Sequence, residues 1–261
     1  MRIRTQTLAQ LKANGQKFAA LTSYDFLTAE IFDQAGIEVI LVGDSASNML
    51  GYSSTVPVTV DEIISFGRAV AQAAKHSLVV VDMPFGSYES SVELAVATAT
   101  RIMKETGAAA VKLEGGKARV NQIAAIVEAG IPVMGHVGFT PQTVHALGGY
   151  KVQGRGEEAK SVLEDVKAVE SAGAFAVVIE MVPANLAEEI SNTCAIPTIG
   201  IGAGSATDGQ ILVWTDFAGL GEKIPKFAKS YLQLRGELLN AARSYKADIV
   251  AETFPGKEHE F

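Results

Sequence analysis

The chain has 261 residues, a formal net charge of −7 and a hydrophobic content of 48%. This composition excludes a disordered chain, and the lack of a long basic block argues against a nucleic-acid surface or an anionic membrane surface. Cys194 is the only cysteine, so no disulfide can form within the chain, which suits a reducing compartment. The first residues carry no apolar signal core, and no apolar run approaches the ~18 residues of a membrane span. We therefore expect a soluble, cytoplasmic protein.

Apolar strands and amphipathic helices alternate along the chain, beginning with a short helix over residues 5–14. Strands are predicted over residues 17–22, 38–43, 78–82, 108–113, 131–134, 174–179, 196–201 and 210–214. Helices are predicted over residues 25–35, 60–75, 90–106, 117–129, 157–172, 184–193 and 224–245. Two long polar connections cover residues 44–59 and 139–156. The regular alternation favours a parallel sheet, because parallel strands need crossover helices.

About eight strand-then-helix units in ~250 residues are typical of a (β/α)8 TIM barrel, here with a short N-terminal helix. A doubly wound sheet is the competing fold, but it more often carries a glycine-rich phosphate turn after its first strand. The first strand here ends in Ser23-Tyr24-Asp25. No linker-like stretch divides the chain, so we expect one barrel domain over residues 1–261.

Ionisable side chains stand where successive strands end. The strand over residues 38–43 leads directly into Asp44 and Ser45. Later strands end in or just before further groups of this kind, which are Asp82, Lys112, Glu114, His136 and Glu180. Because the carboxyl ends of barrel strands ring one mouth, and active sites lie there, we expect these side chains to meet.

Several carboxylates at one mouth are costly unless a cation neutralises them. Asp44, Asp82 and Glu114 are hard oxygen ligands, which suits Mg²⁺ with water or substrate in the remaining positions. Zinc fits less well, since only His136 and His145 could supply nitrogen and the chain has no pair of cysteines.

Each of these residues also has a purely structural interpretation. Asp44 could cap a helix or turn, and Asp82 could form a turn before Met83-Pro84. Lys112 and Glu114 could form an ion pair inside the barrel, and a lone histidine such as His136 is more often a hydrogen-bonded core residue. Glu180 has fewer such explanations because it follows an apolar strand. The recurrence on successive strands favours a functional site.

Eight stretches of the chain resemble the ketopantoate hydroxymethyltransferase family. They include Val42-Gly43-Asp44-Ser45, and they follow the family's order over nearly the whole length. The matching stretches are residues 21–25, 42–45, 82–85, 111–116, 135–142, 148–155, 196–204 and 208–210. The chain departs from the family at Thr207, where a cysteine is usual, at Thr215, where a histidine is usual, and over residues 46–48.

The resemblance implies an aldol-type transfer of a one-carbon unit from 5,10-methylenetetrahydrofolate to 3-methyl-2-oxobutanoate, giving 2-dehydropantoate in pantothenate biosynthesis. It implies a barrel fold, Mg²⁺ and a homo-oligomer, typically a decamer. By matching position, Asp44, Asp82 and Glu114 place the metal. The residues implied to bind the keto acid are Asp44, Ser45, Asp82 and Lys112. We expect His136 to donate a hydrogen bond to the substrate carboxylate and Glu180 to be the base that removes the C3 proton.

Two other functions compete with this one. A Mg²⁺-dependent carbon–carbon lyase of the isocitrate lyase and phosphoenolpyruvate mutase type would use a similar barrel. Such lyases commonly use a cysteine as an acid, and Cys194 lies before a strand, away from the mouth. A barrel without catalytic activity is the third possibility, but it would not need the full set of Asp44, Asp82, Lys112, Glu114 and Glu180.

Overall fold

The structure is a computed structural model that describes residues 2–261. The chain forms two compact units, one up to Leu212 and one from Val213 to Phe261. The single domain over residues 1–261 stays a prediction.

The first unit has eight strands and eight α-helices among its described residues. The strands are β1 (Phe18–Thr22), β2 (Val39–Val42), β3 (Leu78–Asp82), β4 (Ala110–Lys112), β5 (Val133–Gly138), β6 (Ala176–Glu180), β7 (Thr198–Ile201) and β8 (Gly209–Leu212). The helices are α1 (Thr5–Ala13), α2 (Phe26–Gln34), α3 (Ser47–Leu50), α4 (Val60–Ala73), α5 (Val92–Thr106), α6 (Val120–Glu128), α7 (Ala159–Ser171) and α8 (Ala184–Thr193). None of the described helices is long and apolar enough to cross a membrane.

The eight strands form a closed parallel barrel in chain order. β8 closes it by pairing with β1, with Phe18 opposite Gly209 and Leu21 opposite Leu212. All four residues of β2 are buried, as expected for a strand covered on both faces. Gly209 is required at the closure, because a Cβ there would lie 2.4 Å from the Phe18 ring. The predicted (β/α)8 barrel with a short N-terminal helix is confirmed.

The barrel interior is filled by every second residue of the strands, such as Leu78 and Val80 of β3 and Ala176 and Val178 of β6. This spacing is the two-residue period of a strand, in which alternate side chains share one face. Leu8 of α1 is fully buried against the same cluster. The interior is therefore a packed core, and α1 covers the end where the strands begin.

Side-chain caps begin several of the surrounding helices where the sequence places them. The Asp25 carboxylate accepts a hydrogen bond from the Thr28 backbone N–H at 2.9 Å at the start of α2. Thr59 and Glu62 form a capping box at the start of α4. Each cap satisfies backbone N–H groups that the first helical turn leaves unpaired.

The connection after β2 is more ordered than predicted. A 3-10 turn covers Asp44–Ala46, and α3 follows at Ser47–Leu50 before Gly51 ends it in the left-handed conformation at φ 72°. The polar composition of this stretch suggested a loop. Short helical turns at a strand end satisfy their backbone groups locally, so they need no apolar periodicity.

In the second unit, the structure corrects two predicted elements. The predicted last strand over residues 210–214 ends at Leu212, and Trp214 begins the short helix α9 (Trp214–Phe217). The last helix, α10 (Leu234–Val250), starts ten residues later than predicted and ends five residues later. The Tyr231 and Leu234 backbone N–H groups donate to the carbonyls of Phe217 and Ala218. The segment before α10 therefore pairs with α9 instead of forming helical hydrogen bonds of its own.

Candidate active site

Four of the predicted site residues form one layer at the carboxyl end of the barrel. Each lies two residues after a core residue of its strand and faces the barrel interior. These residues are Asp82, Lys112, His136 and Glu180. The first three are at most 3% exposed, and the Glu180 side chain is 13% exposed. The alternation that fills the core thus also delivers four ionisable groups to one place.

Asp44 and Glu114 reach this layer from just beyond their strands. Asp44 opens the 3-10 turn after β2, and its backbone N–H donates to Oδ2 of Asp82 at 3.0 Å. Glu114 lies two residues beyond Lys112, the last residue of β4. Both carboxylates are buried, at 4% and 3% exposure. The structure therefore brings all the predicted carboxylates together.

Lys112 is the cation of this cluster. Its Nζ donates to Oδ1 of Asp82 at 2.5 Å and lies 4.0 Å from Oε1 of Glu114. Burial alone would lower the pKa of Lys112, but the charges of Asp82, Glu114 and Asp44 outweigh it and hold the pKa above its ordinary value. Lys112 therefore stays charged, and the structural ion pair considered for it joins it chiefly to Asp82, not Glu114.

Asp44 is a buried carboxylate that resists ionisation. Burial, followed by repulsion from Asp82 and Glu114, raises its pKa to about 8, although Lys112 and a hydrogen bond from Gln142 oppose this. The pKa of Asp82 is also raised, mainly by burial. A bound cation would reverse these shifts, because it favours the charged form of each carboxylate.

His136 lies between two carboxylates. Its Nδ1 is 3.3 Å from Oε1 of Glu114, and its Nε2 is 3.3 Å from Oε2 of Glu180. The angles do not complete a hydrogen bond at either ring nitrogen. Burial lowers the pKa of His136, but contact with Glu114 and Glu180 raises it to about 9. The core-histidine interpretation accounts poorly for this position, and contact with the substrate carboxylate stays a prediction.

We expect the metal-free protein to lose stability as the pH rises from 6.5 to 8. Asp44 and His136 both have raised folded-state pKa values, about 8 and about 9, so the folded state binds more protons than the unfolded state in this range. For each extra proton that the folded state binds, the free energy of unfolding falls by up to about 1.4 kcal/mol as the pH rises by one unit. Urea unfolding at several pH values measures the slope. A stability that rises across this range would contradict these ionisation states.

The structure adds three residues to the site that the sequence had not singled out. The hydroxyls of Tyr24 and Ser45 are 2.7 Å apart, and Tyr88 and Gln142 are joined by a 2.6 Å hydrogen bond between Oη and Oε1. Tyr24, Tyr88 and Gln142 are at most 3% exposed. Their sequence signal is weak, because each lies in a loop after a strand and buried polar side chains cannot be recognised from a loop's composition.

The donor atoms fit Mg²⁺ as a site shared with substrate. Oε1 of Glu114 is buried without a hydrogen bond and lies 3.3 Å from Nδ1 of His136, so a bound cation would share this oxygen with His136. Within residues 2–261, however, no three His, Cys, Asp or Glu side chains converge closely enough to hold a metal ion by themselves. Mg²⁺ commonly takes one or two carboxylates and completes its coordination with water and substrate oxygens. The carboxylates Asp44, Asp82 and Glu114 suit that pattern.

The glycine-rich stretch after β7 packs against protein. A Cβ on Gly204 would lie 2.6 Å from the Cβ of Ala184, and one on Gly200 would lie 2.6 Å from Oγ1 of Thr207. These contacts indicate that the two glycines allow close packing after β7. Thr207, a departure from the family pattern, donates to the carbonyl of Gly209 at 2.8 Å at the start of β8, which places it away from the mouth.

Solved structures with the same fold define the class of protein. A 2,3-dimethylmalate lyase, described as a PEP mutase/isocitrate lyase superfamily member, aligns with a TM-score of 0.63 and 16% identity, covering 100% of this chain and 92% of the other. A phosphoenolpyruvate phosphomutase from Streptomyces platensis subsp. rosaceus aligns with a TM-score of 0.65 and 14% identity, covering 99% and 92%. At such identities the likeness shows the fold alone. This is a (β/α)8 barrel with a buried ionisable cluster at its mouth.

Sequence comparison is more specific. A family model described as ketopantoate hydroxymethyltransferase matches residues 2–257. A 3-methyl-2-oxobutanoate hydroxymethyltransferase from Leifsonia xyli subsp. xyli is 57% identical over 262 aligned residues, covering 100% of this chain and 95% of the relative. The enzyme of that name from Mycobacterium bovis is 54% identical, covering 100% and 93%. The chain belongs to the ketopantoate hydroxymethyltransferase family. The predicted family and enzyme class are thereby confirmed, and the lyases share its fold at far lower identity.

Proposed function

We propose that this enzyme transfers a hydroxymethyl group from 5,10-methylenetetrahydrofolate to 3-methyl-2-oxobutanoate, giving 2-dehydropantoate. The observation that carries the proposal is the family match over residues 2–257. The site agrees with it, since an aldol-type addition needs a base at C3, a cation near the keto acid and a water-poor pocket. A buried layer holding Lys112 and Glu180 offers these groups.

Lys112 and Ser45 hold the keto acid in this proposal. The Lys112 ammonium is charged and buried, so its attraction for a substrate carboxylate is screened less than it would be in water. Its present partner, Asp82, fixes its position. Ser45 is held by the Tyr24 hydroxyl at 2.7 Å, and with Asp44 it lines the same end of β2. His136 adds a donor beside Glu114.

Glu180 removes the C3 proton. It is the most exposed carboxylate of the cluster, at 13% for the side chain, so a substrate could approach it more easily than the other three. Nε2 of His136 lies 3.3 Å from Oε2 of Glu180. Removal of the proton leaves negative charge that spreads onto the keto oxygen. The Lys112 ammonium on β4, two strands from Glu180 on β6, stabilises this charge.

Asp44, Asp82 and Glu114 would hold Mg²⁺. When bound, the ion supplies Lewis-acid polarisation of the keto acid. The residues themselves support this assignment, because Asp44 and Asp82 are buried with raised pKa values and Glu114 has a buried oxygen without a hydrogen bond. A divalent ion would offset the repulsion that these carboxylates otherwise suffer.

The assembly and compartment are part of the proposal. We expect a homo-oligomer, with a decamer as the form that the family implies, acting in the cytoplasm with methylenetetrahydrofolate as co-substrate. The lone cysteine supports a reducing compartment. Light scattering on the purified chain would measure its mass.

Proton exchange at C3 of 3-methyl-2-oxobutanoate tests the proposed reaction. In deuterated water, we expect the wild-type enzyme with Mg²⁺ to exchange this proton, and removal of the ion by a chelator to slow exchange at least about tenfold. Proton NMR follows the loss of the C3 signal. Addition of the folate donor should then convert the keto acid to 2-dehydropantoate.

Two results would count against this function. Exchange without transfer when the donor is present would favour chemistry with another acceptor or donor. Cleavage of a 2-hydroxy dicarboxylic acid, without hydroxymethyl transfer, would favour the lyase alternative that shares the barrel fold.

A further inference from the structure

Gln142 contacts two of the three proposed metal carboxylates through different groups. Its side-chain Nε2 donates to Oδ2 of Asp44 at 2.9 Å, and its backbone N–H donates to Oε2 of Glu114 at 3.0 Å. A third bond runs from Nε2 to the carbonyl of Met83 at 3.0 Å. Gln142 is 3% exposed and belongs to the 3-10 turn Pro141–Thr143, so it has no contact with bulk water that would substitute for these bonds.

Tyr88 fixes the direction of the Gln142 amide. The Glu114 backbone N–H donates to the Tyr88 hydroxyl at 3.1 Å, which occupies a lone pair of that oxygen. The hydroxyl proton then points to Oε1 of Gln142 at 2.6 Å, the shorter of its two acceptor contacts, with the Glu114 carbonyl at 3.2 Å. Burial raises the pKa of Tyr88 well above its ordinary value, so the proton stays on the hydroxyl.

The opposite amide orientation is excluded by the acceptors around it. With the amide turned over, Oε1 would face the carbonyl oxygen of Met83, which cannot donate, and Oδ2 of Asp44, which can donate only when the carboxyl is protonated. Nε2 would lose both of its acceptors at the same time. The network therefore has one satisfied arrangement, in which both amide hydrogens of Gln142 are directed at oxygen atoms of the mouth.

We propose that Gln142, oriented by Tyr88, is a positioning residue that holds the Asp44 carboxylate in place for cation binding. The inference rests on the proposed function, because it takes Asp44 as a metal ligand. The Gln142 hydrogen bond links the 3-10 turn that contains this residue to the turn that Asp44 opens after β2, and it occupies Oδ2 of Asp44. The role assigned to Gln142 is contact with the two carboxylates, not with the metal or the substrate.

Substitution of Gln142→Met tests the inference, since methionine has a similar length and lacks both amide hydrogens. The measurement is titration with Mn²⁺ alone, followed by electron paramagnetic resonance of the free ion, without substrate. We expect the Kd for Mn²⁺ to rise about 10–100-fold, the usual effect of removing a hydrogen-bond partner of a metal ligand. Tyr88→Phe, which keeps the ring and removes the hydroxyl that donates to Oε1 of Gln142, should raise it several-fold, because the amide is then held by one partner fewer.

Gln122→Met is the matched control. Gln122 is also buried, at 8% exposure, and its amide makes one long bond of 3.4 Å to the Glu89 carbonyl. The Gln122→Met variant should bind Mn²⁺ with the same Kd as the wild type. A purely structural role for Gln142 would lower the melting temperature and leave the Kd for Mn²⁺ unchanged, so the two readouts separate the explanations.

The outcomes distinguish this inference from the function on which it rests. Wild-type Mn²⁺ affinity in both Gln142→Met and Tyr88→Phe, with affinity lost in Asp44→Ala, would overturn the role of Gln142 and leave the metal site standing. If Gln142→Met does not fold, Tyr88→Phe decides alone. Wild-type affinity in Asp44→Ala would instead overturn the proposed metal site, and the inference with it.

Discussion

Glu180→Gln should abolish exchange of the C3 proton of 3-methyl-2-oxobutanoate with deuterated water while leaving binding of the keto acid nearly intact. Glutamine keeps the size and polarity of the side chain but cannot take up a proton. A positioned general base contributes about 10²–10⁴-fold to the rate, so exchange measured by proton NMR should fall by at least 10²-fold. Binding of the keto acid, measured by calorimetry, depends mainly on Lys112 and should change little.

The control for this variant is Glu188→Gln, which makes the same chemical change on the exposed side of α8. Its exchange rate should equal that of the wild type. Wild-type exchange in Glu180→Gln would rule out Glu180 as the base. Weakened binding of the keto acid together with slowed exchange would instead indicate that His136 had moved, because the substitution removes its carboxylate partner at 3.3 Å.

The barrel was predictable because its signal is repetitive. Each of the strands is short and apolar, each is followed by an amphipathic segment, and the pattern recurs often enough to favour closure over an open sheet. The ends of β3 and β6 were predictable for the same reason. A carboxylate directly after an apolar run, as at Asp82 and Glu180, must lie where a buried strand meets the mouth.

The partners within the site were not predictable in the same way. Strand register decides which side chains meet between neighbouring strands, and the register cannot be inferred from the spacing of residues within one strand. The structural alternative for Lys112 was an ion pair with Glu114, two residues away on one face. In the parallel register Lys112 lies beside Asp82 of β3, and the shorter contact forms there, at 2.5 Å.

Loop residues were the least predictable part of the site. Gln142 lies 98 residues from Asp44 in the sequence, yet its amide completes the surroundings of that carboxylate. In the sequence, the residues around Gln142 show only the composition of a polar loop. The late start of α10 has a similar cause. Backbone pairing of Tyr231 and Leu234 with α9 overrides the local tendency to form a helix, and no local pattern records a distant hydrogen bond.

Lys112→Met should lower the free energy of unfolding by about 3–5 kcal/mol, the usual cost of removing one partner of a buried ion pair. Methionine fills a similar volume, so the loss comes from charge. Without the ammonium, Asp44 and Asp82 remain buried at 4% exposure or less and Asp82 loses its ion-pair partner, while Glu114 keeps only His136 at 3.3 Å. Urea unfolding at pH 8, without added metal, measures the difference from the wild type.

The pH dependence of this deficit identifies its origin. Asp44 and Asp82 already have raised pKa values with Lys112 present, and its removal raises them further. A group whose folded-state pKa is raised takes up protons on folding, so its destabilising effect fades as the pH falls toward the unfolded value of about 4. The deficit should therefore be smaller at pH 5 than at pH 8, and Mg²⁺ should reduce it at pH 8.

In the control Lys117→Met, an exposed ion pair with Glu164 is lost, and the change should stay within about 1 kcal/mol at both pH values. A deficit in Lys112→Met that is equal at pH 5 and pH 8 would mean that lost packing, not uncompensated carboxylates, destabilises the variant.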